Sequence, residues 1–186
     1  MTAHQFDDAK MALEIAIKYN PINTAALFEY AELFKINKNF QRFLKWTRRC
    51  LQCAYHPEDI ARAYRNFGYY YIEQGQFDTA ATMYYVSLFY EQNKQATSEL
   101  FYITQMTGKK TDEPSPEKAQ QVFSDEDIQY GANDFVILIL VKLAENAEEH
   151  KSINMAKHYY TMLYKLNGDE SVKEKLDQLS KAEISQ

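Results

Sequence analysis

Two cysteines three residues apart form the pattern in this chain that lies nearest to a reactive site. Cys50 and Cys53 occur in the segment RRCLQC, directly after Arg48 and Arg49. Thiols at i and i+3 face the same side of a helix, and nearby cations lower the pKa of a thiol, so a redox role is one reading. A redox pair usually sits at a helix N-terminus, whereas this pair is predicted well inside a helix. We therefore predict that both cysteines are small packing residues.

Metal-binding and catalytic patterns are weaker still. A zinc site needs four ligands, and only His56 is close to the cysteine pair in sequence. No serine or cysteine has a base at a recognisable spacing, and the five glycines are isolated from one another, which excludes a Gly-rich phosphate loop. His158 lies beside the Tyr159–Tyr160 pair and is predicted to be structural. We expect a protein that is not an enzyme and that holds no cofactor or metal.

The best candidate for nucleic-acid binding is the basic segment KWTRR at residues 45–49, which contains the only tryptophan. Its three charges are few, and the chain as a whole carries a net charge of −5. Phosphate binding needs a concentrated basic face, so nucleic acid is not expected as a partner.

The composition favours helices and an intracellular setting. The 186 residues include 15 Tyr and 11 Phe but only five Gly and four Pro, which favours long helices with bulky interlocking faces. The longest apolar run, FVILILV at 135–141, has seven residues and is predicted to be a buried helix, because a membrane span needs roughly 18 to 20. The N-terminus has no signal-peptide pattern, and two cysteines favour a reducing, cytoplasmic location.

The elements that must position any site are clearest in residues 61–88, where large and small residues alternate around Gly75. The large residues are Tyr64, Phe67, Tyr71 and Phe77, and the small ones are Gly68, Ala80 and Ser87. Small residues let two helix backbones approach closely, and large ones fill the space beside the contact. The segment is therefore predicted to be an antiparallel helix pair.

This order resembles the tetratricopeptide consensus W-x2-L-G-x2-Y…A-x3-F, with Tyr64 in the Trp place and Tyr84 in the Phe place. The resemblance implies an all-α fold: a right-handed superhelical array of antiparallel helix pairs that acts as a scaffold for other proteins. The last unit, which closes with YKLNGDESVKEKLDQL, resembles the end of tetratricopeptide proteins of Gram-positive bacteria. A bacterial scaffold is the expectation that follows.

The same spacing recurs at intervals of about 34 residues. It predicts one domain over 1–183, with repeats at 24–55, 61–92, 95–130 and 137–168, an orphan second helix at 5–21 and a charged capping helix at 169–183. In the divergent third repeat, an insertion at 109–118 follows Gly108, which is predicted to end a helix, and Pro116 is predicted to start the next.

The helix at 5–21 lacks the partner that would precede it in a repeat, which leaves an apolar face uncovered. One expectation is that the chain belongs to a longer array, as a regulatory or docking segment. Another is that a partner protein or a second copy covers the face and makes the chain an assembly module. A third is that the helix serves as an N-terminal cap.

In the family, the first helices of successive units line a concave groove. The partner-binding residues that the resemblance implies are Phe28, Glu32, Arg62, Arg65, Tyr69, Ile72 and Glu99. Arginine can hold a carboxylate through two hydrogen bonds, and Tyr and Phe supply contact area for a peptide. The alternative is that the two arginines form a solvated face paired with Glu73 or Glu99. One subtype clamps chaperone C-termini through Lys and Asn at two fixed positions, and this chain does not have them.

Overall fold

The architecture is described by a computed structural model that covers residues 3–128 and 134–184. Within these ranges every regular element is an α-helix. The helices are α1 (Ala3–Tyr19), α2 (Thr24–Ile36), α3 (Phe40–Cys53), α4 (Pro57–Glu73), α5 (Phe77–Tyr90), α6 (Lys94–Thr107), α7 (Pro116–Asp125), α8 (Asp134–Glu149), α9 (Ile153–Asn167) and α10 (Glu170–Ile184). The predicted all-α class is confirmed.

Helices that follow one another in sequence pack against one another. This holds for α1 with α2, α2 with α3, α5 with α6, α8 with α9, and α9 with α10. The arrangement is compatible with a helical repeat, while the right-handed superhelix and the repeat boundaries stay predictions. The described residues form two compact units, one of residues 3–54 and 58–128 and one of residues 55–57 and 134–184.

Local sequence explains where the helices begin and end. Four of them start after a polar side chain that accepts a hydrogen bond from the backbone three residues on, and these caps are Asn23, Asn39, Asn93 and Ser115. At the other end, Gly108 and Gly168 terminate α6 and α9 with positive φ angles of 67° and 66°. The predicted helix boundaries at Gly108 and Pro116 are confirmed.

The core of the first unit is built from aromatic rings. The largest side chains that are fully buried in it include Phe28, Phe43, Tyr64, Phe67, Tyr71, Tyr84 and Phe123. On α4, Tyr64 stacks on Tyr90 of α5 with ring centroids 5.8 Å apart. One turn further along α4, Gly68 lies directly against the ring of Tyr84. The predicted alternation of large and small residues thus describes how α4 and α5 pack.

Helix α7 packs onto α4 and α5 of the first unit. Phe123 meets Tyr64 of α4 edge-on, with ring centroids 5.4 Å apart. Just after α7, the Glu126 carboxylate accepts a 2.8 Å hydrogen bond from the Tyr71 hydroxyl, and its backbone carbonyl accepts another from the Arg48 guanidinium. Three contacts therefore connect the end of α7 to α3 and α4.

In the second unit, α9 packs between α8 and α10. Glu148 of α8 contacts both of the other helices. It accepts a 3.1 Å hydrogen bond from Tyr160 of α9 and lies 3.1 Å from the Lys175 ammonium of α10. The apolar run at 135–141 lies in α8, as predicted, but it is buried only in part. Phe135 and Leu138 remain 72% and 50% exposed, since an α-helix turns every second or third residue of such a run away from the core.

Candidate functional site

The predicted binding residues on α4 form one stripe along that helix. Arg62, Arg65, Tyr69 and Ile72 follow a spacing of three, four and three residues, which places them on the same side of the helix. All four are partly exposed. Helices α2 and α6 contribute Glu32 and Glu99 to the surroundings of the stripe. We call this surface the α4 face.

Arg62 is held in place by two groups of α2. Its guanidinium carbon lies 4.6 Å from the ring centroid of Phe28, a cation–π distance, and its Nη2 lies 3.0 Å from the Glu29 carboxylate. Phe28 itself is fully buried. Phe28 therefore supports Arg62 from below and offers no surface of its own to a partner.

Arg65 is paired with a carboxylate that follows α5. Its Nη1 lies 3.1 Å from the Glu91 carboxylate, and the Arg65 side chain is 17% exposed. Because the pair is partly desolvated, it holds the guanidinium more firmly than a pair in free solvent would. Each arginine thus presents a guanidinium that is paired with a carboxylate from outside α4.

Tyr69 occupies the middle of the α4 face. The ring of Phe43 meets it edge-on from below, with centroids 6.0 Å apart, and the Lys35 ammonium lies 4.6 Å from its ring centroid. Lys35 also pairs with Glu32 one turn earlier on α2, at 3.1 Å. The aromatic face of Tyr69 is therefore covered by a cation that is itself tethered.

Carboxylates from three helices converge on Tyr69. Burial raises the pKa of the Tyr69 hydroxyl to about 12, helped by the charge and hydrogen bond of Glu73 and by the charges of Glu32 and Glu99. Burial also raises the pKa of Glu99 above its ordinary value, although Lys35 acts in the opposite direction. Glu99 is consequently a carboxylate that would be better stabilised if a further positive group approached it.

Sequence reasoning found the residues of the α4 face but not their partners. Glu29 and Glu91 lie 33 and 26 residues away from the arginines that they pair with. A pairing between residues so far apart depends on how the helices pack, and local sequence spacing does not predict it. The alternative, in which the arginines pair with Glu73 or Glu99, differs from the structure, because both of these carboxylates lie around Tyr69.

The cysteine pair has little of the character of a redox site. Cys50 is fully buried, and Cys53 is half-buried. Burial raises the pKa of the Cys50 thiol well above its usual range, even though Arg62 pulls it down. Because the thiolate is the reactive form, Cys50 is poorly suited to attack a disulfide or bind a metal. Its burial agrees with the predicted packing role.

The basic segment on α3 is partly committed to internal contacts. Its residues line an open cavity of about 550 Å³ beside the end of α1, but Arg48 donates to the Glu126 carbonyl at 2.8 Å. Trp46 packs edge-on against Tyr30, with centroids 4.6 Å apart. Of the positive groups of the segment, only Lys45 and Arg49 are exposed, which is a small basic surface.

Two features are absent from residues 3–128 and 134–184. There is no group of three or more His, Cys, Asp or Glu side chains in these residues that could hold a metal ion. None of the helices there has both the length and the apolar character that crossing a bilayer requires. His158 is half-buried, and burial lowers its pKa.

Comparison with known proteins adds no family assignment. No protein-family model matches the chain, and no curated protein matches it. What the fold itself defines is an all-α protein whose consecutive helices pack against one another, with one continuous side-chain stripe along α4.

Proposed function

We propose that this chain is a non-catalytic scaffold of the tetratricopeptide type, which binds an extended segment of another protein on the α4 face. The observation that carries the proposal is the convergence of side chains from α2, α4 and α6 around Tyr69. In the proposed repeats these are the first helices of three successive units. First helices line the binding groove in such arrays.

The side chains of the face are suited to recognition because they are held before a ligand arrives. Phe28 and Glu29 fix Arg62, Glu91 fixes Arg65, and Lys35 covers Tyr69. A surface that is ordered in advance loses less conformational entropy on binding than a mobile one. The face also combines an aromatic ring with two arginines, which are among the residue types that contribute most to protein interfaces.

The charges on the face favour a partner segment that carries both signs. Among the described residues, three cations and five carboxylates lie on the α4 face or pair with its side chains, and these are Lys35, Arg62, Arg65, Glu29, Glu32, Glu73, Glu91 and Glu99. A partner carboxylate can exchange places with Glu29 or Glu91 on an arginine. A partner lysine or arginine can approach Glu99.

The same proposal places the protein in the cytoplasm, since its two cysteines are free.

Peptide display against the immobilised full chain tests the proposal. Selected peptides are then titrated by fluorescence anisotropy against the wild type and the double variant Arg62→Glu/Arg65→Glu. We expect Kd to rise at least about 10-fold in the variant, because reversed charges repel the groups that the arginines hold. Circular dichroism checks that the variant keeps its helices.

The matched control is Lys109→Glu/Lys110→Glu, which makes the same charge change at two exposed lysines after α6. Its Kd should equal that of the wild type. If the selected peptides bind the arginine variant as tightly as the wild type, the α4 face is not their binding site. Failure to select any peptide would count against the scaffold function itself.

A further inference from the structure

The outer side of α1 carries an apolar stripe in the described structure. Met11, Ile15 and Tyr19 recur every four residues and so share one side of the helix, and Ile22 follows after the helix ends. They are 57%, 50%, 86% and 60% exposed, respectively. Large apolar residues that are exposed together in this way mark surfaces that bind other proteins.

The opposite side of α1 is already used. Phe6, Leu13 and Ile17 are half-buried on the side that packs against α2, and Phe6 meets Phe34 with ring centroids 6.4 Å apart. Two sides of α1 are therefore apolar, whereas an ordinary surface helix has a single apolar side. Packing against α2 accounts for one side, and no helix in residues 3–128 and 134–184 is shown to cover the other.

The charges at the edge of the stripe indicate what covers it. Asp7 lies near the start of α1 and Lys18 near its end, and both are exposed. At 3.6 residues per turn, the two lie on the same edge of the stripe, about 60 to 80° around the helix from Ile15. If a second α1 lies antiparallel across the stripe, Asp7 of each copy faces Lys18 of the other.

The centre of the stripe fits the same arrangement. A two-fold axis near residue 13 places Met11 of one copy against Ile15 of the other, and the symmetry repeats the contact. Ala12 is exposed on the same side, so its small side chain allows the two helices to approach closely. A second copy of α1 in antiparallel orientation therefore satisfies both the apolar pattern and the Asp7–Lys18 charge pattern.

We propose that α1 is a self-association surface, on which two copies of this chain pair antiparallel through Met11 and Ile15 with Asp7–Lys18 pairs at the edge. One helix pair buries a small area, so the dimer is expected to be weak and in rapid exchange. The surface lies outside the α4 face, and the inference does not depend on the proposed peptide binding.

Sedimentation velocity of the full chain between about 5 and 500 µM tests the inference, because this range brackets the affinity of small interfaces. We expect the average mass to rise from monomer towards dimer. Ile15→Glu, which places charge in the centre, should keep the protein monomeric over the whole range. Phe101→Glu is the matched control, since Phe101 is an equally exposed apolar residue on α6, and it should associate like the wild type.

A charge exchange tests the antiparallel orientation. Lys18→Glu replaces two attractions by two repulsions and should raise the dimer Kd about 5-fold, as expected for exposed ion pairs. The double variant Asp7→Lys/Lys18→Glu restores both attractions with reversed signs and should return Kd to near the wild-type value. If the double variant remains as weak as Lys18→Glu, the orientation is wrong.

Two results would overturn the inference. The first is a wild-type protein that stays monomeric up to the highest concentration, and capture of a different protein through Ile15 would then assign the stripe to that protein. The second is an Ile15→Glu variant that associates as strongly as the wild type while its helicity is unchanged.

Discussion

Gly68 of α4 and Tyr84 of α5 meet so closely that no side chain fits between them. A Cβ atom placed on Gly68 would lie 2.7 Å from both Cε2 and Cζ of the Tyr84 ring, which is closer than real Cβ contacts. The ring is 2% exposed and cannot swing into solvent. Position 68 therefore requires glycine because there is no space for a side chain. Its backbone is helical, so backbone conformation is not the reason.

We expect Gly68→Ala to overpack this buried contact at a cost of about 1–3 kcal/mol. This cost should exceed the gain of about 1 kcal/mol that alanine brings to a helix interior. Urea unfolding of the variant measures the difference. In a double-mutant cycle with Tyr84→Leu, much of the alanine penalty should disappear, because the ring atoms that cause it are gone.

Gly108→Ala is the control for that cycle. Gly108 has nothing within 4 Å of its added Cβ, but its φ of 67° disfavours any side chain. Its penalty should therefore be independent of Tyr84. Equal coupling of both glycine variants to Tyr84→Leu would show that the close contact is not the cause.

A close approach of α4 and α5 could be predicted from sequence, whereas the contacts of α7 could not. The order of large and small residues in 61–88 predicted an antiparallel helix pair that approaches closely at its small residues, because it depends only on helical spacing. Tyr71 and Glu126 are 55 residues apart, and Arg48 and Glu126 are 78 apart. Nothing local relates them, since the path of the chain between α6 and α7 decides where Glu126 arrives.

The hydrogen bond from Tyr71 to Glu126 should hold α7 in place. Tyr71→Phe removes a 2.8 Å bond to a charged acceptor, so we expect a loss of about 1.5 kcal/mol in the free energy of unfolding. Native-state hydrogen exchange should accelerate in α7 and stay unchanged in α2. Tyr102→Phe, at an exposed tyrosine of α6, is the control and should change neither quantity. Unchanged protection of α7 in Tyr71→Phe would mean that Phe123 and Arg48 suffice to hold it.

The two cysteines should differ in reactivity even though they share one helix. Cys50 is buried and the pKa of its thiol is raised by burial, whereas Cys53 is half-buried. A maleimide reagent at pH 8 should therefore label Cys53 first, and Cys50 only when the protein unfolds. Peptide mapping by mass spectrometry distinguishes the two sites. Rapid labelling of both cysteines in the native protein would instead support the hypothesis of a redox role.

Glu99 should make the fold less stable at neutral pH. Burial raises its pKa in the folded state, so the folded protein binds this proton more tightly than the unfolded chain does. The stabilising effect of that proton is complete below the ordinary pKa of 4.5 and is lost as pH rises through the higher folded value. Glu99→Gln removes the charge, and it should therefore unfold at higher urea concentration than the wild type at pH 7.

The pH dependence separates this cause from a packing effect. At pH 4, where Glu99 is largely protonated, the advantage of Glu99→Gln should shrink, because a neutral carboxyl and an amide then occupy the same place. Glu113→Gln, at an exposed residue of the segment after α6, is the control and should gain nothing at either pH. A gain that is equal at both pH values would point to hydrogen bonding by the amide.

Glu99 is expected to destabilise the fold, yet it lies on a proposed binding face. A bound partner could offset this destabilisation, as is common for residues that serve function. If a basic group of the partner approaches Glu99, Glu99→Gln should weaken peptide binding while it strengthens the fold. Peptides selected against the wild type would therefore be titrated against Glu99→Gln and Glu113→Gln side by side. Opposite changes in stability and affinity for Glu99→Gln would identify Glu99 as a binding residue, and unchanged affinity would restrict binding to the arginine side of Tyr69.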